Sequence, residues 1–315
     1  MTTLILIAAA GLAAQLVDGG LGMGFGVTST TLLIMLAGLG PAQASAVVHA
    51  AELGTTLASG VSHWRFGNVD WKTVACIGIP GAIGAFAGAT LLSSISTEAA
   101  TPVMSAILAL IGINLMLRFS RGLTRRTLAA KPHSAGFLGV LGIFGGFVDA
   151  TGGGGWGPVT TSSLLAAGRS EPRRIVGTVN TAEFLVTFAA TLGFVIGMWQ
   201  DLVANTAAVV ALLIGGVIAA PIGAWLVTRL NPILLGGVVG TLIVVLNLPV
   251  VLSALGVNEH LMWVRGGVLV VGLLLAARGV KRARANSKAA SVKEGHSTGE
   301  MRHPAVTGSA SSTHR

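Results

Sequence analysis

The chain has 315 residues, of which 52% are hydrophobic and 10% are charged, and its mean hydropathy is +0.80. Soluble globular proteins carry about 25% charged residues, so this composition excludes an ordinary soluble domain and indicates an integral membrane protein. The single cysteine, Cys76, excludes an internal disulfide bond and a cysteine metal cluster. The net charge of +9 would suggest a nucleic-acid partner for a soluble chain, but in a membrane protein it indicates basic loops facing anionic lipid.

The first half of the chain contains two short apolar segments and three longer ones. Residues 4–17 and 27–39 are apolar, but each is shorter than the ~20 residues that a helix needs to cross a bilayer. Between them lies the first glycine segment (residues 17–27). Longer apolar segments, each able to cross as a helix, follow at residues 41–61, 72–92 and 102–119. These elements form the predicted first membrane repeat, residues 1–119, and a basic cytoplasmic linker follows at 120–133.

The second half repeats this order. Short apolar segments flank the second glycine segment (residues 148–158), and they lie at residues 135–148 and 159–167. Further membrane spans are predicted at residues 175–197, 202–228, 232–252 and 261–279. We therefore predict a second membrane repeat at 134–252 and a final transmembrane helix within 253–280. Residues 281–315 are rich in Ser, Ala, Lys and Arg without an apolar period, which predicts a disordered basic tail.

The two glycine segments align with each other at an offset of 131 residues. The offset pairs Asp18 with Asp149 near the start of each segment. The same register pairs Glu52 with Glu183, so it holds for more than thirty residues. We interpret this register as an internal duplication whose matching unit is a broken membrane helix.

Basic residues orient the helices, because Lys- and Arg-rich loops stay in the cytoplasm. The linker at 120–133 is basic, and so is the loop that carries Arg169, Arg173 and Arg174. Both loops lie in the cytoplasm only if residues 135–167 enter and leave on one side as a re-entrant hairpin; the first hairpin then enters from outside. We therefore predict an all-α polytopic membrane protein with two inverted repeats, each a Gly-broken re-entrant helix hairpin plus three transmembrane helices, with one extra C-terminal helix. The rival arrangement, in which each glycine unit crosses once, gives parallel repeats and places the three arginines outside.

Paired interrupted helices in inverted repeats are typical of secondary transporters, whose site lies near mid-membrane where the breaks meet. Glycine N–H groups and the positive end of the following half-helix form a position for an anion, and hydroxyls just inside it can donate hydrogen bonds. The predicted substrate-binding residues are Gly24, Gly26, Thr28, Ser29, Gly155, Gly157, Thr160 and Thr161. The alternative is that the hydroxyls bond back to helix carbonyls and that the glycines serve packing alone.

Polar residues inside and beside the spans form a second group of candidates. The predicted coupling or gating residues are Glu52, Glu183, His49, Asn180, Asp18 and Asp149. The two glutamates lie within predicted spans, where a carboxylate is costly and marks a functional site by default. Each follows its polar neighbour, a His or an Asn, by three residues and shares a helix face with it. The alternative for them is a structural, hydrogen-bonded role, and we expect the two aspartates to cap or lock the breaks rather than bind an anion that they would repel.

Three features together resemble the TauE/SafE family of sulfite exporters. They are the two glycine-broken segments, the sequence Gly-Thr-Val-Asn at residues 177–180 and the loop Gly-Asn-Val-Asp-Trp at residues 67–71. The resemblance covers about residues 5–280, and it implies transport of a small sulfur-containing or organic anion such as sulfite, driven by an ion gradient. The chain departs from the common pattern in carrying His49, Glu52 and Glu183, so its substrate or coupling ion could differ from sulfite and a proton.

Other functions stay open at this point. A cation or metal-ion carrier would bind its ion through the mid-membrane carboxylates, for which the spans show no compensating Arg. A non-transporting membrane scaffold subunit is a second alternative. We expect no enzyme activity, since no nucleophile–base motif occurs in the sequence. We also expect no cofactor and no metal site, because the glycine segments lack the Lys-Ser/Thr of a nucleotide-binding loop and no metal-ligand spacing is present.

The expected partners follow from the transporter interpretation. They are a small anionic substrate, a coupling ion (proton or sodium) and the lipid bilayer, without nucleic acid. A homodimer is one option for the assembly. The expected location is the inner membrane of a bacterial-type cell, with the C-terminus in the cytoplasm.

Overall fold

The computed structural model of the chain describes residues 2–21, 23–122, 133–167, 169–226 and 231–300. Regular structure in these ranges is entirely helical, which confirms the predicted all-α class. The helices of the first half are α1 (Thr2–Leu21), α2 (Phe25–Ala37), α3 (Pro41–Arg65), α4 (Trp71–Ser94) and α5 (Thr97–Ser120). Those of the second half are α6 (Ala135–Gly152), a π-helical turn (Gly157–Thr161) that continues into α7 (Ser162–Ala167), α8 (Pro172–Ala204), α9 (Thr206–Leu226), α10 (Pro232–Ala254) and α11 (Leu261–Glu300).

The described helices are those of a polytopic membrane protein. Six of them are long and apolar enough to cross a membrane, namely α4, α5, α6, α8, α10 and α11. Apolar helices shorter than this occur at Thr2–Asp18, Phe25–Ala37 and Thr206–Ala219. Helix α3 has 25 residues, enough to cross, and carries His49 and Glu52 in its middle.

Local sequence fixes where several helices begin. Asp70 Oδ1 accepts hydrogen bonds from the N–H groups of Lys72 (3.2 Å) and Thr73 (3.3 Å) at the start of α4. Ser96 caps α5 in a similar way, and such caps satisfy N–H groups that a first helical turn leaves without a partner. Helix α2 instead begins after Gly24, whose φ of 117° lies in the left-handed region that favours glycine.

Equivalent helices of the two halves pack in equivalent ways. Helix α4 packs along α6 and α9 packs along α1, and the 131-residue offset converts one pair into the other. Helix α3 packs against its own duplicate α8, and α5 packs against its duplicate α10. The packing pattern is therefore the same when the two halves are exchanged, as expected for a duplicated chain.

Glycines allow the close contacts within these helix pairs. Gly84 of α4 lies so near the carbonyl group of Ile143 that a Cβ atom there would overlap it. Gly215 of α9, the duplicate of Gly84 at the 131-residue offset, likewise lies against the carbonyl group of Ala8. Small residues let helix backbones approach each other in a bilayer, where van der Waals packing contributes much of the association energy.

Two helices are longer than the sequence predicts. Helix α1 continues to Leu21, through much of the first glycine segment. A glycine costs a helix interior only about 1 kcal/mol relative to alanine, so packing against α9 is able to hold it helical. Helix α8 continues to Ala204, although the sequence predicts a loop between the spans 175–197 and 202–228. A kink at Met198 (φ −142°) lies where the loop is predicted.

The C-terminal region also differs from the prediction. Helix α11 continues to Glu300, whereas the sequence predicts disorder from residue 281. The added stretch is rich in Ala, Lys and Arg, which are strong helix formers, so its lack of an apolar face does not prevent a helix. Residues 123–132 of the predicted linker and 301–315 of the predicted tail lie outside the described residues.

We predict that Gly84→Ala destabilises the protein by about 1–3 kcal/mol, because the added methyl group overpacks the closed α4–α6 interface. Gly139→Ala on α6 is the matched control, since a Cβ atom there meets no atom within 4 Å. Thermal unfolding of the purified variants in detergent measures the difference. Equal melting temperatures for the two variants would contradict the close packing described here.

Candidate functional site

The two glycine segments touch each other at the centre of the helix bundle. Gly26, in the first turn of α2, lies against Gly154, and a Cβ atom on Gly26 would be 2.7 Å from Gly154 Cα. Gly153 and Gly154 have φ values of 65° and 128°, which L side chains rarely adopt. Thr30 Oγ1 donates a hydrogen bond to the carbonyl of Gly153 and fastens the contact. The two breaks therefore meet, as one site shared between them requires.

A cavity of about 70 Å³ lies at this junction. It is lined by both glycine segments and by residues of α1, α3 and α8. The polar side chains that line it are Gln15, Asp18, Glu52, Thr55, Thr56, Ser59, Asp149, Asn180 and Glu183. Five of the six residues predicted for coupling or gating thus surround one space, and the sixth, His49, contacts Asp149.

The predicted substrate-binding residues divide into two groups. The four glycines line the cavity, namely Gly24, Gly26, Gly155 and Gly157. The four hydroxyl residues, Thr28, Ser29, Thr160 and Thr161, are not among the lining residues. Thr160 Oγ1 donates to the carbonyl of Trp156, which is the back-bonding alternative. The hydroxyls of the other three are buried without a hydrogen-bond partner among the described residues.

The N-terminus of the second half-helix is already occupied by a carboxylate of the chain itself. Asp149 Oδ1 accepts hydrogen bonds from the N–H groups of Gly155 (2.7 Å) and Trp156 (2.9 Å). Asp18 makes the duplicate contact with the N–H group of Phe25 in the first glycine segment. Both aspartates therefore cap the half-helices, where the partial positive charge favours an anion. The N–H groups of Gly155 and Trp156 serve one cap and that of Phe25 serves the other. Gly157 and Gly26 are the next residues along the chain.

The second oxygen of Asp149 contacts His49 on α3. His49 Nε2 lies 3.1 Å from Asp149 Oδ2, and the two side chains are 0% and 3% exposed. On the other side of the ring, His49 Nδ1 lies 2.8 Å from the carbonyl oxygen of Ser45. Asp149 thus links the imidazole to the cavity, because one of its oxygens caps the half-helix and the other faces His49.

Trp156 holds the second glycine segment in place, a role that no motif in the sequence indicates. Its side chain is fully buried, and its Nε1 donates a hydrogen bond to the carbonyl of Val179 at 3.0 Å. Its ring lies against Gly81 of α4, where a Cβ atom would be 2.8 Å away. The register pairs Trp156 with Phe25. The sequence therefore shows that each segment has an aromatic residue at this position, but it does not show what that residue contacts.

Helix periodicity indicates several further residues that line the cavity. Thr55, Thr56 and Ser59 follow Glu52 at intervals of three or four residues, and Gln15 precedes Asp18 by three. Residues at these spacings share a helix face, so a carboxylate at a site predicts which neighbours line the same site. Thr56 Oγ1 also donates to the carbonyl of Glu52 at 2.7 Å.

The two short sequence motifs contact each other although they are about a hundred residues apart. The N–H group of Asp70 donates to Thr178 Oγ1 at 3.0 Å. Gly177 lies close to Asn68, where a Cβ atom would be 2.6 Å from the Asn68 carbonyl oxygen. The loop between α3 and α4 is therefore pinned to the first turns of α8.

The carboxylates of the cavity are not arranged as a metal centre. Within the ranges that the structure describes, no group of three His, Cys, Asp or Glu side chains is placed to hold one metal ion. The lining residues also include no Lys or Arg among those described.

Comparison with known proteins identifies the family. A family described as "Sulfite exporter TauE/SafE" matches residues 7–250. The chain belongs to this family. It is also 48% identical over 252 residues to the "Probable membrane transporter protein YtnM" of Bacillus subtilis (strain 168), an alignment that covers 78% of this chain and 82% of the relative. No solved structure matches it. The resemblance drawn from the glycine segments and the two motifs is confirmed, and the protein is a member of a membrane transporter family.

We predict that Gly26→Ala forces the two glycine segments apart, because its methyl group would overlap Gly154. The expected cost is about 1–3 kcal/mol, as for other overpacked interiors. Gly136→Ala is the matched control: it also occupies the second position of a helix, and a Cβ atom there meets nothing within 4 Å. The control should be neutral or slightly stabilising, since alanine favours helices over glycine. Thermal unfolding compares the two, and a Gly26→Ala variant as stable as the control would contradict the contact.

Proposed function

We propose that the protein is a secondary transporter, an exporter, that moves a small sulfur-containing or organic anion such as sulfite across the membrane. The observation that carries the proposal is the meeting of two interrupted helices at a polar cavity. Transporters of this architecture bind substrate where half-helix ends meet near mid-membrane. Membership of the TauE/SafE family supports the same class of substrate.

We further propose inverted repeats that move by alternating access. In this arrangement the first hairpin enters from outside and the second from the cytoplasm, and the C-terminus lies in the cytoplasm of a bacterial-type cell. The hydrogen bond between Asp70 and Thr178 supports it. That bond requires the loop after α3 and the start of α8 to lie on the same side of the membrane. Two re-entrant hairpins satisfy this requirement, whereas single crossings of the glycine units would separate the two loops.

The dimensions of the cavity favour a small substrate. A cavity needs a volume of about 10–15 Å³ to hold one water molecule, and this cavity has a volume of about 70 Å³. This space suits an ion with a few heavy atoms better than an extended organic molecule. In our proposal the first-turn N–H groups near Gly26 and Gly157 bind the anion, because the first turn of a helix leaves N–H groups without helical partners.

The carboxylates determine how an anion can enter this cavity. Asp18, Glu52, Asp149 and Glu183 all line it, and ionised carboxylates repel an anion at short range. Protonated glutamates are neutral and able to donate a hydrogen bond to an oxyanion. We therefore propose that Glu52 and Glu183 act as gate or proton carriers, so that the anion binds together with protons and is exported when its outward gradient exceeds the inward proton gradient.

One observation favours a different transported ion. The cavity has four carboxylates and, among the described lining residues, no cationic side chain. A cation carrier would use these carboxylates directly, without any need for protonation. The two candidates make opposite predictions for variants that remove the negative charges.

The test is a binding screen on the purified protein with sulfite, thiosulfate, sulfoacetate, acetate and divalent cations. A ligand at about 100 times its Kd stabilises the native state by about 2.7 kcal/mol, which appears as a higher melting temperature. We expect a sulfur oxyanion to stabilise both the natural protein and the double variant Glu52→Gln/Glu183→Gln, because a glutamine is neutral like a protonated glutamate. The stabilising anion is then measured for flux in proteoliposomes.

The control variant is Glu259→Gln, which removes an exposed carboxylate in the loop after α10. It should bind every ligand as the natural protein does. Stabilisation by cations alone, lost in the double variant but kept in the control, would overturn the anion proposal and support the cation carrier. Failure of all the anions to bind or to cross the proteoliposome membrane would also contradict it.

A further inference from the structure

The buried pair His49–Asp149 has a geometry that determines where its protons are. The imidazole is held at both nitrogens: Nδ1 lies 2.8 Å from the carbonyl oxygen of Ser45, and Nε2 lies 3.1 Å from Asp149 Oδ2. A carbonyl oxygen only accepts hydrogen bonds. The tautomer of a histidine follows from the partners of its two nitrogens, so each contact can be assigned a donor in turn.

The contact with Ser45 requires a proton on Nδ1. Without that proton, the lone pair of Nδ1 would face the lone pairs of the carbonyl oxygen at 2.8 Å. The hydroxyl of Ser45 lies 3.3 Å from Nδ1, but it donates to the carbonyl of Ala150 at 2.7 Å and so has no second proton to offer. Nδ1 is therefore the donor on this side of the ring.

The contact with Asp149 then requires one proton more. A neutral histidine that is protonated at Nδ1 has a bare lone pair at Nε2, and an ionised carboxylate presents only acceptors. Two acceptors 3.1 Å apart in a fully buried site would repel each other. A proton on the pair converts this repulsion into a charge-assisted hydrogen bond. Because Asp149 Oδ1 already accepts two N–H groups, the extra proton lies between Nε2 and Oδ2.

We propose that His49 and Asp149 together bind a single proton, and that this pair is a proton-binding site that couples the transport cycle, in addition to the proposed gate or proton carriers Glu52 and Glu183. This inference rests on the proposed anion transport and names its coupling ion. The ring of Phe194 on α8 packs against the imidazole, with 5.9 Å between the ring centres. The other charged groups that line the same cavity are Glu52 on α3, Glu183 on α8 and Asp18 on α1. All of these charges are negative, so a proton bound at the pair lowers the repulsion that an entering anion meets.

The equivalent position in the other half of the chain does not provide such a site. The 131-residue offset places Asn180 at the position of His49 and Asp18 at that of Asp149. An asparagine amide has its own N–H donors and does not bind a further proton near neutral pH. Asn180 Nδ2 donates a hydrogen bond to Ser59 Oγ at 3.4 Å. The geometry therefore places the His–Asp proton site at one of the two equivalent positions rather than at both.

The first test is transport by His49→Asn in proteoliposomes. The variant introduces the residue that the second half uses at the same position, so it keeps an N–H donor toward Asp149 but no titratable ring. A gradient of one pH unit drives about tenfold accumulation of an anion carried with one proton, since 1.4 kcal/mol corresponds to a factor of ten. We expect the variant to equilibrate sulfite down its own gradient and to lose this pH-driven accumulation.

The control is His260→Asn, the same chemical change at an exposed position. His260 lies in the loop before α11 with a φ of 63°, a conformation that asparagine adopts readily. The His260→Asn variant should accumulate sulfite as the natural protein does. Accumulation by His49→Asn equal to that of the control would overturn the inference. A natural protein that moves no anion under any gradient would instead contradict the proposed function.

A second measurement does not depend on transport. Nitrogen-15 NMR of histidine-labelled protein identifies the His49 signals by their loss in His49→Asn. In spectra recorded between about pH 5 and pH 9, we expect a state of the ring with one proton on Nδ1 and a further proton on Nε2. A neutral ring with its proton fixed on Nε2 over this range would overturn the inference, whatever the flux shows.

Discussion

The contact between the backbones of Gly26 and Gly154 fixes the geometry on which the rest of the site depends. Neither residue could carry a side chain without overlapping the other segment. The contact brings together two helix starts that belong to different halves of the chain, and it buries the irregular backbone within protein. Non-helical backbone at membrane depth is tolerated only under that condition or along a wet cavity. Because the breaks touch, residues from α1, α3, α6 and α8 converge on one small cavity.

The electrostatics of that cavity follow from how the two half-helices are capped. Each N-terminus attracts negative charge, and the chain supplies it from within, through Asp149 and Asp18. The caps stabilise the breaks, but they also place carboxylates beside Glu52 and Glu183 in a space of about 70 Å³. In the proposed transport, a site with this charge accepts an anion only when protons enter as well. Protonation is therefore the central variable of the proposed transport, rather than an accessory to it.

The two halves share a scaffold while their chemistry differs. Gly84 and Gly215 occupy equivalent positions and allow equivalent close helix contacts, since backbone approach depends only on the absence of a side chain. The cavity has no such constraint on each polar residue. His49 in one half corresponds to Asn180 in the other, and of the two only the histidine is able to bind a proton near neutral pH. The shared register is consistent with the shared helix packing, and the difference between His49 and Asn180 gives the site distinct sides.

The sequence by itself determined the membrane class, the duplication, the family and the carboxylates of the cavity. These are properties of composition, of register along the chain and of helix-face spacing. The sequence was less decisive where helix propensity and the hydrophobic pattern disagree. Residues 281–300 have no apolar period, yet they form the end of helix α11. Only the tertiary structure decided that Gly26 touches Gly154 and that the N–H groups which Asp149 caps are those of Gly155 and Trp156. It also left Thr28 and Ser29 out of the cavity lining. These outcomes depend on how segments more than a hundred residues apart pack against each other, which no local pattern encodes.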